Sequence, residues 1–123
     1  MVLFAEADGS APLLTWLDAL PERVQMKCIV RIERLKSMGH ELRRPEADLL
    51  RDGIHELRVK KGRVNYRLLY FFTGGRAVIS HGLTKEDVVP DIEIERALRR
   101  KAEFDSDPLK HTYEEGGGDE KEG

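Results

Sequence analysis

Between Gly53 and Lys85, three strand-like runs carry cations among apolar residues. They are Glu56-Leu57-Arg58-Val59, Asn65-Tyr66-Arg67-Leu68-Leu69-Tyr70 and Ser80-His81-Gly82-Leu83-Thr84-Lys85. Arg58 and Arg67 interrupt apolar, aromatic-rich segments, whereas ordinary surface charges lie on polar faces. A guanidinium is seldom buried without a partner. Such cations therefore point to one of two arrangements: internal pairing with a carboxylate such as Glu56, or convergence on an anion. The planar fork of arginine suits bidentate contact with phosphate. One glutamate also carries too little charge for two arginines and Lys85.

The hairpins that position these residues can be read from their turns. Lys61-Gly62 and Gly74-Gly75 are taken as two-residue turns joining strands at 54–60, 64–72 and 77–84. Arg58 then stands opposite Asn65, Glu56 opposite Arg67, and Arg67 also beside Gly82. Period-two alternation assigns Leu57, Val59, Val64, Tyr66, Leu68, Tyr70, Ile79, His81 and Leu83 to a core face. The other face carries Glu56, Arg58, Asn65, Arg67, Ser80 and Gly82 at one end, and Leu69, Phe71 and Val78 at the other. Gly82 leaves room above the arginines, and Lys85 follows just past the strand end. On these residues alone, a Glu56–Arg67 cross-strand ion pair without function and an electropositive cavity both stand.

Around these strands the chain supplies a frame. Val2 to Ala7 reads as a first strand, stopped by Asp8-Gly9. Ser10 is the expected N-cap of a helix with Pro12 in its first turn, carrying Leu13, Leu14, Trp16, Leu17 and Leu20. Pro21 opens a second helix with a stripe of Val24, Cys28, Ile32 and Leu35, closed by Gly39, while Lys27, Arg31, Arg34 and Lys36 read as its solvated face. Joined by almost nothing, the two should form an antiparallel helical hairpin lying on the sheet. Residues 39–53 read as an irregular connection. Pro90 opens a last helix with Ile92, Ile94, Ala97 and Leu98 as its apolar positions. The expected fold class is thus α+β: an N-terminal strand, a helical hairpin on an antiparallel sheet of about four strands, and a C-terminal helix.

Bulk properties bound the function. The 123 residues suffice for one domain, read as 1–108, followed at 109–123 by an acidic, glycine-rich tail expected to be disordered. The net charge is −2, but the last ten residues hold −4, leaving the rest at +2. From Arg43 to Arg67 there are eight Lys/Arg against four Asp/Glu, a locally basic stretch compatible with nucleic acid. Cys28 is the only cysteine, so there is no intramolecular disulfide and no CxxC pair; its apolar setting reads as a buried structural thiol. His55 and His81 read as structural histidines, and neither His40 nor His111 has a partner at metal-ligand spacing. No signal peptide or membrane span is legible, so the expected location is the cytoplasm.

Three segments in order resemble a known family. Leu49-Leu50-Arg51-Asp52-Gly53-Ile54-His55-Glu56-Leu57-Arg58, then Asn65-Tyr66-Arg67-Leu68-Leu69-Tyr70-Phe71, then His81-Gly82-Leu83-Thr84-Lys85-Glu86 with Pro90, Glu93, Ile94 and Ala97 resemble HigB-like proteins of the RelE/ParE toxin superfamily, which include phage-derived host-inhibition proteins. The similarity covers about residues 2–105. It implies a RelE-like fold and the toxin of a toxin–antitoxin pair, a ribosome-dependent mRNA endoribonuclease that works without metal or cofactor. Its implied partners are a cognate antitoxin of helix-turn-helix type and mRNA on the ribosome. In that chemistry the ribose 2′-hydroxyl attacks the adjacent phosphate. The resemblance places Arg58, Arg67 and Lys85 at the catalytic cationic positions. Glu56 reads as the partner that orients Arg67, and Lys60, Lys61, Arg63 and Asn65 as substrate contacts. Glu86 stands where relatives carry a second lysine. Two other implied outcomes are a noncatalytic ParE-like inhibitor acting by protein contact, for example on gyrase, and an inactive phage-derived relic.

Overall fold

The computed structural model describes residues 1–84 and 87–114; Lys85, Glu86 and the acidic tail from Glu115 lie outside the described residues. The elements are β1 (Val2–Leu3), α1 (Pro12–Asp18), α2 (Glu22–Met38), β2 (Ala47–Arg51), β3 (Ile54–Lys61), β4 (Val64–Thr73), β5 (Arg76–Thr84) and α3 (Asp91–Ser106), with a 3-10 turn at Gly39–Glu41. The sheet runs β1-β5-β4-β3-β2, with β1 parallel to β5 and the other pairs antiparallel. It is a mixed sheet of five strands, where the sequence reading expected about four, all antiparallel. The added strand, β2, lies within the stretch expected to be irregular. It turns into β3 through Asp52 (φ +52°) and Gly53 (φ +82°), the pair of positive φ angles that the tightest hairpins require.

Both faces of the sheet are covered. On one, Leu57, Val59, Tyr66, Leu68, Tyr70 and Ile79 pack with Leu13 and Leu17 of α1 and with Val24, Cys28, Ile32 and Leu35 of α2. Helix α1 lies chiefly on β5 and α2 on β3, so each helix of the pair meets the sheet directly. On the other face, Ile54, Leu69, Phe71, Val78 and Leu83 pack with Ile94, Ala97 and Phe104 of α3. The Cys28 thiol is buried in the first core, and burial pushes its pKa up to about 11, the property of an inert packing residue. The N-cap of α1 is Ala11 rather than Ser10, whose N–H and hydroxyl both bond the Asp8 carboxylate instead. Beyond α3, residues 109–113, read from sequence as the start of the tail, run back beside β1. His111 stacks on Phe4, and the Tyr113 N–H bonds the Leu3 carbonyl.

Two registers differ from those expected. The β3–β4 turn is Gly62-Arg63, one residue later than Lys61-Gly62, so Arg58 pairs with Arg67 and Asn65 with Lys60. The change is two residues in register, which leaves every β3 and β4 side chain on its expected face. The Gly74-Gly75 turn is as expected, but an irregularity between Leu69 and Tyr70 leaves Ser80 unpaired and shifts β5 by one residue. From there on the faces of β5 exchange. His81 and Leu83 join Leu69 and Arg67 on the α3 side, and Gly82 moves beneath the Trp16 ring of α1. Gly82 therefore makes room for Trp16, not for a ligand above the arginines.

Candidate functional site

The pairing of β2, β3 and β4 sets like charges side by side. Asp48 lies directly across from Glu56, and Arg58 directly across from Arg67. Either pair alone would be repulsive. The side chains resolve this by alternating. Arg58 donates through Nε to Glu56 Oε2 at 2.8 Å and through Nη2 to Asp48 Oδ2 at 3.1 Å, and Arg67 Nη1 donates to Glu56 Oε1 at 2.9 Å. Arg44 closes the row on Asp48 Oδ2 at 3.0 Å. Arg44, with Arg58 as a lesser influence, holds the Asp48 carboxyl below the usual carboxylate range.

Glu56 is 1% exposed, with each oxygen taken by an arginine. It orients two guanidiniums and has no accessible oxygen left for proton transfer. The sequence expectation that Glu56 meets Arg67 holds in contact although not in register: the two are diagonal neighbours, a separation that long side chains span. Arg67 is 17% exposed and Arg58 38%, so Glu56 steers both while leaving parts of them at the surface. The buried Arg67 Nε has no hydrogen-bond partner among the described residues.

Above these residues lies a cleft of about 410 Å³, walled by Arg31, Glu46, Arg58, Lys60, Asn65 and Arg67 and completed by Pro45, Val59 and Tyr66. The structure thus gathers Arg58, Arg67, Lys60 and Asn65. Lys61 and Arg63 stand exposed on the hairpin, outside that wall. Lys85 is outside the described residues. Three participants escaped the sequence reading: Arg31, taken for a solvated helix residue, and Glu46 and Asp48, hidden in a segment read as irregular. The alternation Ala47-Asp48-Leu49 was the available signal for β2, and nothing in the spacing of α2 distinguishes Arg31 from its neighbours.

A second polar group lies under α3. His81 Nε2 lies 2.9 Å from Glu93 Oε1, and its Nδ1 lies 2.7 Å from Ser80 Oγ. Arg96 shares that Glu93 oxygen, while Arg100 joins Ser80 to Glu6. Burial lowers the pKa of His81 against the pull of Glu93. A neutral ring donating from Nε2 and accepting at Nδ1 satisfies this geometry. Ser80 is fully buried, so this chain of groups joins α3 to β5 rather than facing a substrate. His81 is the structural histidine expected, on the opposite face. His55 is half-buried against Tyr70 and Phe72, and burial lowers its pKa too.

Among the described residues no group of three or more His, Cys, Asp or Glu side chains is placed to hold a metal ion, and no helix is long and apolar enough to cross a membrane. Residues 15–102, from within α1 to within α3, match the family described as Phage derived protein Gp49-like (DUF891). No curated protein matches the chain.

Proposed function

The chain belongs to the phage-derived Gp49-like family, a family of RelE toxin type, and from that premise we propose that it is a HigB-like toxin that cleaves mRNA on the ribosome. The observation that carries the reading is the pair of arginines that share one buried glutamate and line a basic cleft. Four cations (Arg31, Arg58, Lys60 and Arg67) line the cleft against one carboxylate (Glu46). With the ion-paired Arg34, Arg44, Asp48 and Glu56 beside it, the group still holds six cations against three carboxylates, a positive surplus. The surplus supports a binding site over a closed structural ion pair.

In the reaction, the ribose 2′-oxygen attacks phosphorus and the bond to the 5′-oxygen breaks. A 2′,3′-cyclic phosphate and a free 5′-hydroxyl result, the proton passing from the first oxygen to the second. Arg58 and Arg67 stabilise the charge that gathers on the nonbridging oxygens as phosphorus becomes pentacovalent. Their pre-orientation by Glu56 means that little reorganisation accompanies the step. Lys85 supplies further positive charge or the leaving-group proton. No metal takes part in this scheme, and it requires the cytoplasm, where ribosomes are.

The partner that restrains such a toxin is an antitoxin of helix-turn-helix type. Met26, Ile29 and Val30 support a protein partner: they project from the outer face of α2 and are each at least half exposed. The same strip favours a second reading, a noncatalytic inhibitor that acts on a protein target such as gyrase. Incubation with translating ribosomes separates the two. Cleaved mRNA ending in cyclic phosphate is the expected result, lost in Arg67→Ala. Intact mRNA from a protein that still arrests growth would replace the ribonuclease reading with the second.

A further inference from the structure

Arg31 reaches the cleft from a helix, and the reason lies in the edge of β3. Strand β2 pairs with β3 only as far as Ala47 opposite Leu57, with one more bond from the Arg58 N–H to the Glu46 carbonyl. In an antiparallel strand the N–H and C=O of one residue face the same neighbour. The Arg58 carbonyl therefore points to that edge where β2 has ended. Arg31 Nη1 donates to it at 2.7 Å, which fixes the guanidinium in the cleft wall with further N–H donors beyond that one.

Its charge is incompletely matched. Glu46 Oε2 lies 3.8 Å from Arg31 Nε, but the same carboxylate is held bidentately by Arg34 at 2.9 and 2.8 Å. Arg34 is also the main cause of the lowered Glu46 pKa. One carboxylate thus serves two arginines. Arg31 is 29% exposed, shielded enough to be held in place and open enough to meet a ligand. Lys60 stands in the same wall, beyond Arg58 on β3. A cleft of about 410 Å³ falls in the range of roughly 300–1,000 Å³ typical of whole-ligand pockets and exceeds the needs of a single phosphate.

Resting on the reading of this cleft as an RNA site, we propose that Arg31 and Lys60 form a second phosphate subsite. It takes the phosphate next along the strand from the one held by Arg58 and Arg67. The ligand class is a single-stranded polyribonucleotide with at least two consecutive phosphates. Arg31 binds and aligns the strand and does not touch the reacting atoms. If Arg31 served only to tie α2 to β3, its loss would change stability but not the salt dependence of RNA binding.

That contrast is the test. Binding of a short fluorescent single-stranded RNA is followed by anisotropy between about 50 and 200 mM salt. The slope of log K against log salt reports the phosphates neutralised, about 0.7 per contact on a single strand. Arg31→Gln removes the charge and keeps an N–H donor on a shorter side chain, and its slope should be shallower by about 0.7. Arg99→Gln, an exposed cation on α3, should leave the slope unchanged. If thermal melting shows Arg31→Gln to be unfolded, Arg31→Lys decides: a slope retained with the charge supports the subsite. A folded Arg31→Gln with the wild-type slope, or a folded Arg31→Lys that loses the contact, overturns it. In parallel, Arg67→Ala tests the underlying reading. A wild-type protein that does not bind, or an Arg67→Ala slope that does not change, removes the RNA site altogether. A changed Arg67→Ala slope with an unchanged Arg31→Gln removes only the second subsite.

Discussion

A single buried carboxylate organises the cationic site. Glu56 has both oxygens engaged and almost no solvent, so its charge is matched by Arg58 and Arg67 at close range. Replacing one partner of a buried pair leaves the others uncompensated, at a cost of about 3–5 kcal/mol. Because Arg58 is partly solvated, Glu56→Gln should fall near the lower end, about 3 kcal/mol by urea denaturation. A loss below about 1 kcal/mol would show that the arginines are hydrated independently of Glu56. Arg58 and Arg67 were legible in the sequence because charge inside an apolar strand is costly and therefore conspicuous. Arg31 was not, since a cation on a helix flank is ordinary until the missing strand beside β3 is known.

At the scale of elements, the irregularity in β5 decides what each face presents. Hairpin turns were legible from their glycines, and a two-residue error in the β3–β4 register did no harm because it preserves the faces. The shift at Ser80 was illegible: no residue type in Ile79-Ser80-His81 requires it, and its cause lies in packing across the sheet. Trp16 must pack somewhere on β5, and the shift brings the one position without a Cβ under its ring. A methyl group at 82 would overlap that ring, and the indole cannot yield without leaving Tyr66 and the α1 core. Gly82→Ala should cost about 1–3 kcal/mol, the usual range for overpacking, read as a lower Tm. An unchanged Tm would contradict the placement of Trp16. Strand β2 was missed for a related reason: five residues flanked by Pro45 and a turn carry too short a pattern to stand out from a loop.

The whole molecule is a two-faced sheet with α1 and α2 on one side, α3 on the other, and the cleft where β2 ends before β3 does. The side under α3 is held partly by neutral histidine. Burial lowers the pKa of His81, and of His55 on the opposite face, from the ordinary 6.5. As pH falls through that value the unfolded chain takes up protons that the folded chain refuses. Stability should therefore be complete above about pH 6.5 and decline as pH drops toward the lowered folded values. Urea midpoints near pH 7.5 and 5.5 measure this, and His81→Gln should flatten the decline. Greater stability at the lower pH would mean that the histidines fold in the charged form.

We propose that the arginines on β3 and β4 act on a phosphate and do not merely pair with Glu56. Cleavage of mRNA on translating ribosomes tests it most directly, with wild type and Arg67→Ala assayed beside their thermal melts. Cyclic-phosphate ends are expected from the wild type, and at least a hundredfold slower cleavage by a variant that is still folded, the order expected when a donor to a developing oxyanion is removed, ~10²–10³. A folded Arg67→Ala that cuts at the wild-type rate would contradict it and leave Arg67 a structural partner of Glu56.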